Sequence, residues 1–270
     1  MRRAVCLLAA LIACSCARHG LKLPTGGGEP ASDGREALAQ ATASCSAIRT
    51  FTAEVRLSGK IQGQRLRARL LVGTAAPASA RVEAVAPVGA PVFIFVARAG
   101  DATLLLPRDN RVLEHAAPQD VLGALAGVPL TPEGLRLTLT GCWPPDPIVS
   151  GARRFGDSWR VISLPDNDIV TLYRARATAP WRIAAAERHD EKGGRWQATY
   201  DRYQNDLPEA IRLASAATAG ANAFDLQLSL SQVETNVPLD EDAFRVKIPG
   251  DAAPISLDEL RHARPGARQN

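Results

Sequence analysis

The side chains best suited to catalysis or metal binding are few in this chain and lie far apart along it. The histidines are His19, His115, His189 and His262, and no two of them have the spacing of a zinc site. The one dense group of ionisable residues, at 189–194, reads His-Asp-Glu-Lys-Gly-Gly, a composition typical of a solvated hairpin turn. No Gly-x-Ser-x-Gly nucleophile motif is present. The sequence therefore predicts a protein that is not an enzyme and that uses neither a cofactor nor a metal.

A cysteine near the amino terminus has the setting of a lipidation site. Arg2 and Arg3 precede an uncharged apolar stretch that is long enough for a signal-peptide core and too short to span a bilayer. This stretch ends in Leu-Ile-Ala-Cys at Cys14, which resembles the lipobox of bacterial lipoproteins. The resemblance implies that residues 1–13 are a signal peptide and that Cys14 carries the lipid. Cys16 is the fallback site, and an ordinary secretory signal that contains a cysteine is the alternative.

Two further cysteines lie in the part of the chain that should fold. Cys6 would leave with the signal peptide, and Cys14 would be lipidated. Cys45 and Cys142 then form a candidate disulfide, because a secreted lipoprotein folds in an oxidising compartment. Two buried free thiols are the alternative.

Composition and charge divide the chain and narrow its class. The formal net charge is +4, and no concentrated basic block is interleaved with aromatic residues, so nucleic-acid binding is not expected. Residues 14–31 are rich in Gly and Pro and show no hydrophobic period, which is typical of a flexible tether after the lipidated terminus. Residues 32–250 are long enough for one sizeable domain. Residues 251–270 form a tail that we predict to be in part disordered.

The hydrophobic period predicts a mainly β domain with a few helices. Residues 32–48 have an apolar face at helical spacing, with Ser32 or Asp33 as the cap, and shorter helices are predicted over 118–125 and 132–139. From residue 50 onward the period is two, and we count about ten to twelve short strands, which begin with a hairpin. A sheet of this size with one dry face should curl. We therefore predict a half-open antiparallel β-barrel with an N-terminal helix and short lid helices.

The inward positions of the predicted strands contain many alanines and valines, which would leave space inside the curl. The residues that we expect to line this space are Phe51, Val55, Leu57, Leu66, Leu70, Val72, Leu226, Leu228 and Leu230. An aliphatic lining suits acyl chains, whose transfer from water is worth about 0.8 kcal/mol per buried CH2. The alternative is a packed core in a chain whose composition is simply rich in alanine.

Taken together, these features resemble the LolA/LolB-like family of outer-membrane lipoprotein carriers and acceptors, over most of the mature chain. An early helix leads into Phe51-Thr52-Ala53, as the helix of that family leads into its first strand. The run from Phe244 to Gly250 resembles the closing strand of the fold. The soluble carrier has an arginine before the proline that follows its second strand, whereas this chain has Ala76-Pro77 there. This departure, like the lipid anchor, favours the acceptor type, LolB.

One loop carries the resemblance to LolB further. Ala86-Pro87-Val88-Gly89 resembles the LolB loop in which an exposed aliphatic residue is a functional element. By motif position Val88, together with Pro87, would form a membrane-insertion or delivery loop.

The resemblance implies a function that requires no covalent chemistry. We expect a lipid-anchored protein on the periplasmic side of the bacterial outer membrane that binds acyl chains and receives or transfers lipoproteins. Its expected partners are the membrane, through the lipid anchor, acylated lipoproteins or other amphiphiles, and a periplasmic carrier protein. The alternative is an envelope sensor or a structural lipoprotein that acts through a protein partner.

Overall fold

The computed structural model describes residues 21–144, 146–189, 194–215 and 223–262. The predicted signal peptide, Cys14, Cys16, residues 190–193 of the ionisable group and the end of the predicted tail lie outside the described residues. The described helices are α1 (Gly34–Thr42), α2 (Pro118–Ala126), α3 (Pro132–Thr140) and α4 (Leu257–His262), with short 3-10 turns at Pro165–Asn167 and Glu241–Phe244.

The strands fall into two long series, with a two-residue strand near each end of the described chain. The first series is β1 (Glu29–Pro30), β2 (Thr50–Ile61), β3 (Gln64–Ala75), β4 (Ser79–Val85), β5 (Phe93–Arg98), β6 (Asp101–Leu106) and β7 (Arg111–Ala116). The second is β8 (Gly151–Phe155), β9 (Trp159–Ser163), β10 (Ile169–Tyr173), β11 (Arg182–His189), β12 (Arg195–Gln204), β13 (Leu207–Ser215), β14 (Phe224–Thr235) and β15 (Ala253–Pro254).

All these strands form one open sheet of 15 strands in the order β1-β8-β9-β10-β11-β12-β13-β14-β2-β3-β4-β5-β6-β7-β15. The chain runs from β2 to β7 as a meander, crosses through α2 and α3 to the opposite edge, and returns from β8 to β14. The pairing of β14 with β2 joins the two meanders. Every pair is antiparallel except β15 with β7. This architecture confirms the predicted half-open antiparallel barrel.

The hairpin of β2 and β3 shows how the alternating sequence produces the two faces of the sheet. Gln62 and Gly63 form its two-residue turn with φ angles of 50° and 78°, the left-handed geometry that matches the twist of a hairpin. Across the pair, Val55 faces Leu70 on the concave side, and Arg56 faces Arg69 on the convex side. The core therefore lies on the concave face.

The helices cover the concave face. α2 and α3 each begin with a proline and end at a left-handed glycine, Gly127 or Gly141, and both match the predicted helices to within one residue. α3 contacts β3, β4 and β13, whereas α2 contacts β6 and α4. α1 contacts β8 to β11, so it covers the other half of the sheet.

Helix α1 differs from its prediction at both ends. It stops at Thr42 rather than at residue 48, and the Thr42 hydroxyl donates to the Leu38 carbonyl oxygen at 3.0 Å, a bond that competes with regular helix structure. Asp33 occupies the N-cap position, but its carboxylate makes no capping bond. It accepts two hydrogen bonds of 2.8 Å from the Arg160 guanidinium instead, a contact between distant residues that local sequence does not reveal.

The sheet has 15 strands, more than the predicted ten to twelve, and two of the additional strands, β1 and β15, contain only two residues each. Strands this short show no alternation, so the hydrophobic period could not identify them. β1 lies in the predicted tether, and β15 and α4 lie in the predicted tail. Leu260 of α4 is buried, so the packed domain continues past residue 250.

A disulfide links the two groups of helices. Cys45, in the turn after α1, is bonded to Cys142, two residues after α3, and the two are 97 residues apart in sequence. Because α1 and α3 cover different halves of the sheet, this bond connects the covers of both halves.

Replacing both cysteines should destabilise the fold measurably. Closing a loop of about 100 residues restricts the unfolded chain, and we expect Cys45→Ala with Cys142→Ala to lower the free energy of unfolding by about 2–5 kcal/mol. Urea titration of residues 17–270 would measure it. The wild type in reducing agent is the matched control and should unfold like the variant; identical midpoints for the oxidised and reduced wild type would contradict the prediction.

Candidate functional site

An apolar cavity of about 430 Å³ lies between the concave face of the sheet and helices α2 and α3. Strands β2, β3 and β4 form one wall, and the helices with their connection form the opposite wall. Among the described residues that line it, Arg67 and Arg108 are charged, and all the others are Ala, Val, Leu, Phe or Pro. Such a lining can exclude water and hold hydrocarbon.

Most of the residues predicted to line a cavity do so in the structure. These are Val55, Leu57, Leu66, Leu70, Val72, Leu226 and Leu228. Phe51 and Leu230 do not line it: Phe51 is fully buried in the core near the start of β2, and Leu230 is buried beside Val55. The inward faces of β2 and β14 extend past the cavity, so strand alternation alone selects too long a stretch.

The helix residues that complete the cavity were missed by sequence reasoning. Leu122, Leu125, Leu135 and Leu139 of α2 and α3 form part of its lining. The apolar positions of residues 118–139 were a signal for burial. They could not indicate which part of the sheet these helices cover.

Side-chain size explains why the space lies in this half of the barrel. Ala68, Ala84 and Ala126 line the cavity and leave volume that larger residues would fill. In the other half of the sheet, by contrast, the buried side chains include the large Trp181 and Trp196. The apolar cavity therefore lies in the half where these alanines leave volume.

The cavity extends to a gap in the sheet. β4 pairs with β3 only from Ser79 opposite Ala75 to Val85 opposite Arg69, so β3 residues 64–68 have no partner on that side. Past Val85 the chain leaves the sheet in the loop 86–92, which returns where the Val92 N–H donates to the Ala84 carbonyl oxygen at 2.8 Å. Arg67, Ala68 and residues 85–87 line the cavity at this point.

A groove of about 570 Å³ lies outside the same gap, and we call it the basic groove. It is lined by Arg56, Leu57, Ser58, Arg67, Ala68, Arg69, Val85, Ala86 and Pro87. Leu57, Arg67, Ala68 and residues 85–87 belong to both linings. Cavity and groove therefore adjoin through the gap, with an aliphatic interior on one side and arginines on the other.

The loop beside the gap presents an aliphatic side chain to solvent. Val88 is 84% exposed, and the backbone around it is held by Arg108, which donates to the carbonyl oxygens of Val88 and Ala90 at 3.1 and 3.2 Å. Gly89 has a φ of 83°, which suits the sharp bend at this tip. The neighbouring Pro87 faces both the cavity and the groove.

One carboxylate lies near the basic groove. Glu54 is buried and accepts a hydrogen bond of 2.6 Å from Arg69, and Arg56 lies 3.8 Å away. The hydrogen bond from Arg69 lowers the pKa of Glu54, and the same contact raises the pKa of Arg69. Both partners are therefore charged at neutral pH. Arg67 makes no ion pair with any described residue.

The described ionisable side chains do not come together to form a metal centre. His189 donates from its backbone N–H to Asp168 at 2.9 Å, and the His115 ring lies 3.2 Å from Asp101 at an exposed position. Within the described ranges, no group of three or more His, Cys, Asp or Glu residues could hold a metal ion. Nor does any helix in that part of the chain have the length and hydropathy needed to cross a membrane.

Comparison with known proteins identifies the class of fold, a LolA-like open barrel. A LolA superfamily protein from Nitrosomonas europaea is similar, with a TM-score of 0.54 and 14% identity over 80% of this chain and 98% of that one. A DUF1329 family protein from Desulfovibrio piger has a TM-score of 0.51 and 11% identity, over the same shares. The sequence matches no protein-family model and no curated protein.

Filling the cavity should block the binding of apolar molecules. Ala84 is buried and lines the cavity, so Ala84→Phe would occupy part of its volume, and we expect the affinity for an apolar fluorescent probe to fall about tenfold. Fluorescence titration would measure the change. Ala210→Phe, on the convex face of β13, is the matched control and should bind as the wild type does. Equal affinities in all three proteins would show that the probe binds elsewhere.

Proposed function

We propose that this chain is a lipid-anchored, non-enzymatic protein that binds acyl chains and receives or transfers lipoproteins at the periplasmic face of the outer membrane, as the LolB type does. The observation that carries the proposal is the aliphatic cavity, which reaches a gap in the sheet beside an exposed aliphatic loop. The LolA-like fold supports it.

The physical chemistry of the cavity suits reversible transfer. Each CH2 group that leaves water for an apolar site contributes about 0.8 kcal/mol, so even part of an acyl chain would bind measurably. A volume of about 430 Å³ lies within the range of small-molecule sites and would hold part of a triacyl group. Release into a bilayer costs little, because the membrane interior solvates the chain as well as the cavity does. Neither a nucleotide nor a covalent step is required.

The proposed anchor and the exposed loop have complementary roles. Acylation of Cys14 would keep the domain at the membrane while the tether lets it turn. Val88, with Pro87 behind it, would contact the bilayer or an incoming acylated lipoprotein at the gap. A periplasmic carrier protein is the proposed donor of the lipoprotein.

Binding of an acylated peptide tests the proposal directly. Native mass spectrometry of residues 17–270 with a synthetic triacylated lipopeptide should detect a one-to-one complex, and Ala84→Phe should weaken it. The non-acylated peptide is the control. Absence of a complex with a correctly folded protein would favour a structural lipoprotein that acts through a protein partner. A complex without transfer to membranes would favour an envelope sensor.

Val88 should matter for delivery rather than for binding. Because its side chain is 84% exposed, Val88→Glu should change the free energy of unfolding by less than about 0.5 kcal/mol. We expect the variant to bind the lipopeptide normally but to transfer it to liposomes about tenfold more slowly, because a carboxylate resists entry into the bilayer. Val88→Leu, which keeps an aliphatic tip, should transfer normally. Equal transfer rates for the Glu and Leu variants would exclude a delivery role.

A further inference from the structure

The charged side chains among the described residues that line the cavity and the basic groove are all arginines. The described cavity lining is apolar apart from Arg67 and Arg108, whereas Arg56, Arg67 and Arg69 surround the adjoining basic groove. No aspartate or glutamate lines either the cavity or the groove among the described residues. A molecule that passes through the gap would therefore meet hydrocarbon inside and positive charge outside.

Arg67 is the arginine that connects the two environments. It is exposed, lines both the cavity and the groove, and lies in the stretch of β3 that has no β4 partner. Arg69 and Arg56 are partly neutralised by Glu54. Arg67 has no such carboxylate among the described residues, so its guanidinium can pair with a group from outside. Arg108 adds a second positive charge to the cavity lining.

We propose that the basic groove is a headgroup site, and that the ligand is an amphiphile whose headgroup carries a carboxylate or a phosphate. The acyl chain lies in the cavity, passes the gap beside Pro87, and places its anionic group against Arg67. This inference rests on the acyl binding in the proposed function and extends it to a second class of ligand, because the triacylated cysteine of a lipoprotein carries neither group. Guanidinium groups bind carboxylate and phosphate oxygens through paired hydrogen bonds, which suits both headgroups.

The exposure of the groove to solvent limits how much the headgroup can contribute to the binding free energy. Ion pairs in contact with solvent are weak and are screened by salt, so the headgroup should select between ligands rather than supply most of the affinity. The acyl chain provides the main binding energy. The preference for anionic ligands should therefore shrink as the ionic strength rises, while the binding of neutral ligands stays constant.

A series of ligands with the same chain separates the headgroup from the hydrocarbon. Palmitate, hexadecyl phosphate, hexadecanol and hexadecylamine would each displace an apolar fluorescent probe from residues 17–270. We expect at least one anionic ligand to bind about tenfold more tightly than hexadecanol, and hexadecylamine to bind more weakly. Comparison of palmitate with hexadecyl phosphate distinguishes a carboxylate from a phosphate headgroup.

Variants on one strand face identify the residue responsible. Arg67→Gln should abolish the difference in affinity between the anionic ligand and hexadecanol, and Arg67→Lys should restore part of that difference. Arg65→Gln is the matched control, because Arg65 is exposed two residues earlier on the same face of β3 but lines neither space. The Arg65→Gln protein should prefer the anionic ligand as strongly as the wild type does.

The outcomes separate this inference from the proposed function. If all four ligands bind equally well, or if Arg67→Gln keeps the anionic preference, the headgroup site is wrong while acyl binding stands. If none of the ligands displaces the probe from the wild type, acyl binding itself is wrong, and the headgroup site falls with it.

Discussion

The pairing of β14 with β2 is the interaction on which the rest of the molecule depends, because it joins the two meanders into one sheet. The contact is very close at Gly59, where an added Cβ atom would lie 2.1 Å from the Asp225 carbonyl oxygen and where φ is 150°. Only glycine fits that approach and that conformation. Both strands contribute side chains to the cavity, so the same pairing that makes the sheet continuous also positions the site.

An open sheet must protect its two edges and cover its dry face without closing. The two-residue strands β1 and β15 pair with β8 and β7, so each covers part of one edge of the sheet. The helices divide the concave face between them: α1 lies over β8 to β11, and α2 and α3 lie over the half that contains the apolar cavity. The disulfide connects the two covers, so the half that contains the cavity is attached to the other half by a covalent bond as well as by the sheet.

Sequence reasoning predicted the elements whose signals are local. The β2–β3 hairpin followed from period-two alternation around a Gly-containing turn, and α2 and α3 match their predicted ranges to within one residue. Sequence reasoning failed where the position of a side chain depends on a residue far away in the sequence. Asp33 pairs with Arg160 instead of capping α1, and Phe51 and Leu230 have inward positions but lie beyond the cavity. No periodicity could show that β4 stops short of the end of β3, and this register difference creates the gap.

The position of the gap also explains how one strand can serve two environments. β3 alternates Arg65, Arg67 and Arg69 with Leu66, Ala68 and Leu70, a pattern that normally separates a wet face from a dry one. Where β4 is paired, the sheet keeps those faces apart. Where β4 has left, the chain at residues 66–68 is itself the boundary, and Arg67 and Ala68 line both the cavity and the groove. An amphiphile has the same division, an apolar chain next to a polar head. The alternation that forms β3 therefore also places an arginine next to an apolar cavity at the end of the strand that has no β4 partner. An amphiphilic ligand needs both of these surroundings.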